Sequence, residues 1–141
     1  MAKNEFKIET NAAAINKAIL QAAERALESA SLHMVGEVKD RAPVDSGELR
    51  RSITRKVGAT GSRMTAKVGS GLQYAIYQEF GTGEFAENGA GRKGGWVYEG
   101  PDGKTHFTRG TKPKKFLRSA FRENKKNIKS IINAEMGKLN G

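Results

Sequence analysis

The stretch Glu79 to Ala86 reads EFGTGEFA and contains G-x-G-x-x-A, the skeleton of a turn that holds a dinucleotide pyrophosphate. That chemistry needs a strand before the turn and a helix after it, so that free amide groups and the positive end of the helix dipole meet the phosphate. The residues after Gly83 read EFAENGAGRKGG, which cannot make the helix, and the cofactor reading fails. Gly103-Lys104-Thr105 imitates the end of a phosphate loop, but the first glycine of G-x-x-x-x-G-K-[ST] would fall on Tyr98. Nucleophilic catalysis needs a base beside the nucleophile, and a metal needs clustered ligands. Only His33 and His106 are available, one at the margin of a helical apolar stripe and the other in a presumed hairpin, and both read as surface or packing residues. Glu79, between Tyr77 and Phe80, is the one carboxylate in an aromatic setting, and a buried, hydrogen-bonded or salt-bridged Glu accounts for it as well as an acid or base does. No residue is therefore assigned to catalysis, a cofactor or a metal.

The elements that would position such groups can be read from periodicity. From Asn11 to Asp40 the residues Ile15, Ile19, Ala22, Ala23, Ala26, Leu27, Ala30, Met34 and Val38 recur at helical steps, with Thr10 or Asn11 as the expected cap and Pro43 as the stop. Glu5 to Glu9 alternates like an edge strand. Asp45 and Glu48 have the spacing of a capping box, so a short helical turn is expected to start there. Ser52 to Val57 and Met64 to Val68 alternate as an antiparallel hairpin whose turn is flanked by Gly58 and Gly61. YAIYQEF, residues 74–80, fits either a short strand or two turns of helix.

From Gly81 to Gly110 nine of thirty residues are glycine, which marks a loop-rich insertion with ENGAGRKGG its best candidate for disorder. Within it Trp96-Val97-Tyr98 and Thr105 to Thr108 flank the turn Pro101-Asp102-Gly103, predicting a projecting hairpin. Pro113 then stands near the first turn of a second long helix, with Leu117, Ala120, Phe121, Ile128, Ile131 and Ile132 as its apolar stripe. The expected fold is α+β: a small antiparallel sheet packed against two long helices, N-terminal and C-terminal, with a Gly-rich insertion at 81–110 carrying a hairpin, all in one domain over 1–141.

The formal charge of +10 is uneven: residues 1–103 carry 14 Lys/Arg against 13 Asp/Glu, and residues 104–141 carry 11 against 2. At 3.6 residues per turn Lys114, Arg118, Arg122, Lys125 and Lys129 fall within an arc of about 80° beside the apolar stripe. Such an edge suits an acidic protein surface or a polyanion, and Trp96, Tyr98 and Phe107 are aromatics that could stack on bases, though a solvated helix face is the blander reading. No cysteine is present, so disulfides are excluded, and the longest apolar runs are far short of the roughly 20 residues of a membrane span. The expectation is a soluble intracellular product with no membrane partner.

Three blocks, APVDSGELRRSI at 42–53, YAIYQEFGTG at 74–83 and KPKKFLRSAFRENKKNI at 112–128, together resemble the gene-ten tail-component family of lambdoid siphophages, small neck proteins also described as tail-completion or head-tail joining proteins. Pro43, Val44, Asp45, Ser46, Gly47, Leu49, Arg50 and Ser52 match the first block of that family, and Tyr74, Ala75, Glu79, Phe80, Gly81 and Thr82 the second. Pro113, Phe116, Leu117, Arg118 and Ala120 match the third, with Ser119 where a second proline is common. The resemblance implies a virion structural protein without catalysis, assembled as a ring, a hexamer by expectation, where the tail tube meets the head connector. It implies other neck and tail proteins as partners and the host cytoplasm as the place of assembly. Lys114, Arg118, Arg122, Lys125 and Lys129, with Trp96, Tyr98 and Phe107, are then the expected interface. Contact of the basic helix with passing DNA, a DNA-binding protein, and a tail terminator or adaptor at another level of the neck are the alternatives.

Overall fold

The computed structural model describes residues 5–11, 17–44, 47–60 and 63–140. Strand β1 (Glu5–Asn11) is followed by helix α1 (Lys17–Arg41), a short helix α2 (Glu48–Ser52), strands β2 (Thr54–Thr60) and β3 (Arg63–Gly69), and helix α3 (Gln73–Phe80). A hairpin of β4 (Trp96–Glu99) and β5 (Thr105–Thr108) precedes α4 (Phe116–Glu123) and α5 (Lys125–Gly137). Two antiparallel sheets result, a three-stranded one of order β1-β3-β2 and the β4-β5 hairpin. No helix among the described residues is long and apolar enough to cross a membrane.

Alternation along β3 puts Met64, Ala66 and Val68 on one face, and all three are buried. Against that face lies the stripe of α1, in which Ala22, Ala23, Ala26 and Ala30 leave room for close approach while Leu27, Met34 and Val38 fill the space between layers. Phe116, Leu117 and Ala120 of α4 and Leu49, Ile53 and Ala75 complete the same core. Helix α5 runs along α1 and contributes partly buried Ile128, Ile131, Ile132 and Met136.

Several boundaries differ from the expectation, each for a physical reason. Strand β1 runs on past Glu9, with Thr10 and Asn11 paired to Met64 and Arg63, and since the described part of α1 begins at Lys17, the expected cap at Thr10 or Asn11 falls at a helix start outside the described residues. Ile15, Asp45, Ser46 and Gly61 lie outside the described residues. The short turn begins later than a capping box at Asp45 would place it: Gly47 is the cap of α2, at φ 80° with no side-chain bond. Gly58 is no turn residue but pairs with Thr65 within β2. The aromatic block YAIYQEF is helix α3. Pro113 precedes the first turn of α4, and the C-terminal rod is not continuous: Asn124 separates α4 from α5. Buried Asn124 donates Nδ2–H to the Ala120 carbonyl at 2.8 Å and its Oδ1 lies 3.0 Å from His33 Nε2, so the break is held from α1.

Candidate functional site

Helix α4 starts without a cap of its own. Lys115, at φ 52°, supplies no side-chain hydrogen bond to the first turn, which leaves backbone donors that must be satisfied elsewhere. Glu79, the last buried residue of α3, satisfies them. Its carboxylate accepts the Leu117 amide at 3.0 Å, the Arg118 amide at 2.9 Å and Arg118 Nε–H at 3.0 Å, while its side chain is 1% exposed. A negative charge at a helix N-terminus also meets the favourable end of the macrodipole. The guanidinium of Arg118 continues the bracket: Nη2 donates to the Glu79 carbonyl at 2.7 Å, Nη1 donates to Glu87 at 2.8 Å, and the group lies 4.8 Å from the centre of the Phe80 ring. The hydrogen bond from Arg118 holds the Glu87 carboxyl below its usual range. Glu79 is thus a structural carboxylate, with both oxygens spent on α4.

The glycines that imitate a nucleotide turn serve this bracket. A Cβ on Gly81, which sits at φ 80°, would lie 2.7 Å from the Phe85 carbonyl and 2.9 Å from the Pro113 ring. Gly83, at φ 60°, packs directly on the Arg109 carbonyl, and the residues after it make only a 3-10 turn, Gly83–Phe85. Lys114 donates its amide to the Gln78 carbonyl at 2.7 Å, Thr82 donates to the Thr111 carbonyl and Thr111 donates back to Thr82 Oγ1, both at 2.9 Å. The start and end of the glycine-rich segment therefore meet.

Further polar contacts reach the first block. Ser52 donates to the Leu49 carbonyl and shares a 2.6 Å hydrogen bond with Ser70, whose Oγ accepts the Leu72 amide just before α3. Leu49 is in the core, and Pro43 lies just past the end of α1 at Arg41.

The expected interface residues separate into three groups. Trp96 and Tyr98 line, with Tyr74, Tyr77 and Phe80, a cleft of about 1090 Å³. Phe107 is on the opposite side of the hairpin, paired with Val97, and each of the two is 61% exposed. Arg118 leaves the cationic edge for the bracket, whereas Lys114, Arg122, Lys125 and Lys129 are exposed, joined by Lys126, and none pairs with a described acid. His106 stacks on Tyr98 at 5.5 Å and contacts Asp102 at 3.1 Å, steadying the hairpin turn. The bracket escaped sequence reading because its donors and acceptor are 38 and 39 residues apart. The one local clue is that no Ser, Thr, Asp or Asn precedes Phe116 to cap α4.

The model of the family described as "Bacteriophage HK97-gp10, putative tail-component" matches residues 6–81, more than half of the chain. No curated protein and no solved structure matches the chain.

Proposed function

This chain belongs to the HK97-gp10-like family of bacteriophage tail components, and from that membership we propose that it is a head-tail joining or tail-completion protein, working as a ring in the neck of the virion. The observation that carries the reading is the family match across the sheet, α1 and α3. The geometry supports it: polar chemistry at the conspicuous motifs is consumed internally, while the outer face of the hairpin and the cationic flank of the C-terminal rod stay uncommitted. Exposed Val97 and Phe107 are apolar area that a neighbour can cover. The segment 81–110 acts as the arm of a single domain, and Arg122, Lys125 and Lys129 meet acidic groups on an adjacent ring. A ring requires that one face of each subunit meet a different face of the next. Assembly takes place in the host cytoplasm.

Light scattering after gel filtration, at two salt concentrations and with or without the tail-tube protein, tests this. The expected result is a ring or a partner-dependent assembly weakened by salt and by reversal of Arg122, Lys125 and Lys129. A monomer indifferent to the partner overturns it. The free cations Arg122, Lys125, Lys126 and Lys129 favour DNA as the second reading. Neutralising four phosphates would give duplex binding a log-log salt slope of about −3 to −4, measured by gel shift. A protein ring contact has no reason to show it.

A further inference from the structure

Strands β1 and β2 are the two ends of the three-stranded sheet, each seven residues long and each antiparallel to β3 throughout. Two strands antiparallel to one middle strand run in the same direction. No described residue outside the sheet makes a backbone hydrogen bond to either of them, and neither contains a proline that would blunt it. Both edges are therefore open rows of donors and acceptors, the kind that add a strand from another chain.

Charge separates the ways in which copies can join. β1 carries Glu5 and Glu9 about Lys7, whereas β2 carries Arg55 and Lys56 and no acid. Arg55 already pairs with Glu28 at 3.8 Å, so Lys56 carries the charge of this edge, and a two-fold contact of β2 with β2 centred on Lys56 sets it against its copy, which is unfavourable. A contact of β1 with β1, in which Lys7 can face a glutamate of the copy, is two-fold and closes at a dimer, so it cannot propagate a ring. β2 against β1 joins unlike edges, as a ring requires, and can bring Lys56 to a carboxylate, and within one chain β3 keeps those two edges apart. Lys56 is exposed and pairs in register with Lys67, on the face that alternates away from the buried Ala66, and Lys67 pairs in turn with position 7 of β1.

Building on the ring reading above, we propose that its repeated contact is this pair of edges: β2 of one copy adds, in parallel, to β1 of the next. An even offset keeps the buried faces of the two sheets together. An offset of two residues sets Lys56 level with Glu5 or Glu9 of the neighbour, and a stagger of this kind is what closure of tilted strands requires. Shared strand direction makes the contact head-to-tail, as a ring demands.

The chain has no cysteine, so the full-length protein can be tested with introduced ones. The double variants Lys56→Cys/Glu9→Cys and Lys56→Cys/Glu5→Cys are expected to form ladders of intermolecular disulfides under mild oxidation. Mixed single variants Lys56→Cys and Glu9→Cys should give heterodimers, and Lys56→Cys alone should give none. Lys56→Glu should weaken self-association about three- to tenfold per interface, and Lys56→Glu/Glu9→Lys should restore it, with unchanged circular dichroism. Rings that form without any β1–β2 cross-link overturn this contact and leave the ring reading standing. Lys56→Cys homodimers overturn it in favour of a two-fold edge. Chains that stay single even with the tail-tube protein overturn the ring reading and this contact together.

Discussion

Glu79→Gln is the most discriminating single change, because it keeps the shape of the side chain and removes only its charge and one acceptor. In the native bracket one carboxylate oxygen takes the Arg118 amide and Nε–H, and the other takes the Leu117 amide. A glutamine oxygen can replace the first, but its NH2 group then faces the Leu117 amide, donor against donor. Losing a hydrogen bond to a charged group costs about 1.5–3 kcal/mol, and the two bonds that remain become neutral and weaker. Arg118 is 30% exposed and keeps Glu87, so its own charge is not stranded and the sum stays at roughly 2–4 kcal/mol. For a chain of this length that corresponds to a fall in Tm of about 10 °C. Thermal and urea unfolding followed by circular dichroism would measure it, with hydrogen exchange at the Leu117 and Arg118 amides locating it at the start of α4. Glu87→Gln is the internal control: it removes a partner of the same guanidinium, but at a solvent-exposed site, and should cost far less. The reasoning is refuted if Glu79→Gln unfolds within about 0.5 kcal/mol of the parent or if the two variants cost the same.

Gly83→Ala should destabilise the hairpin by about 2–3 kcal/mol, through strain at positive φ and a clash with the Arg109 carbonyl; Trp96, the only tryptophan, reports this as a fluorescence transition at lower urea than the far-ultraviolet signal. Glu37, hydrogen-bonded to Arg41, and Glu87, hydrogen-bonded to Arg118, both titrate below the ordinary value of 4.5 in the folded state. The unfolded chain binds more protons there, so their stabilisation is complete above that pH and is lost as pH falls through it; Glu37→Gln/Glu87→Gln should flatten the fall in urea midpoint between about pH 5 and 3. Replacing residues 84–109 by a short turn should leave the core folded by circular dichroism, since Thr82 and Thr111 already bond each other at 2.9 Å, while weakening assembly measured by light scattering without removing the contact of the sheet edges.

What local pattern encodes was readable in advance. The alanine-rich stripe of α1, the alternation of β3 and the Pro101-Asp102-Gly103 turn each express a rule acting over a few residues, and each appears in the structure. Where the expectation failed, a distant partner decided. The first strand, expected over Glu5 to Glu9, runs on to Asn11 because β3 offers the backbones of Thr10 and Asn11 a ladder of hydrogen bonds. The apolar positions Leu117, Ala120, Phe121, Ile128, Ile131 and Ile132 share one helical phase on either side of the polar run 122–127, so the pattern reads as one rod; Asn124 stands on that stripe, and its side-chain partner His33 is 91 residues away. Arg118 sits in helical phase with Arg122 and Lys129 and looks like one more surface cation until Glu79 and Glu87 are brought beside it. The glycines of EFGTG carry a clear demand for close backbone approach, and with a phosphate already excluded by the residues after Gly83, the approaching groups are Pro113 and the Arg109 carbonyl, distant in sequence.

The three motif blocks are one device. Ser52 at the end of the first bonds Ser70, Ser70 takes the amide that leads into α3, and Glu79 at the far end of α3 caps α4. The family match stops at Gly81, immediately before the chain departs into residues 82–111, and the chain returns to stack Pro113 against that same glycine. An excursion that leaves and re-enters at one point adds little to the closure cost of the core, whatever its length. It can therefore differ in size and surface without moving α4, provided the carboxylate at 79 and the glycine at 81 stay in place. Arg118, which bonds both the core carboxylate and Glu87 on the excursion, is the joint through which a load on the hairpin would reach the α4–α1 layer.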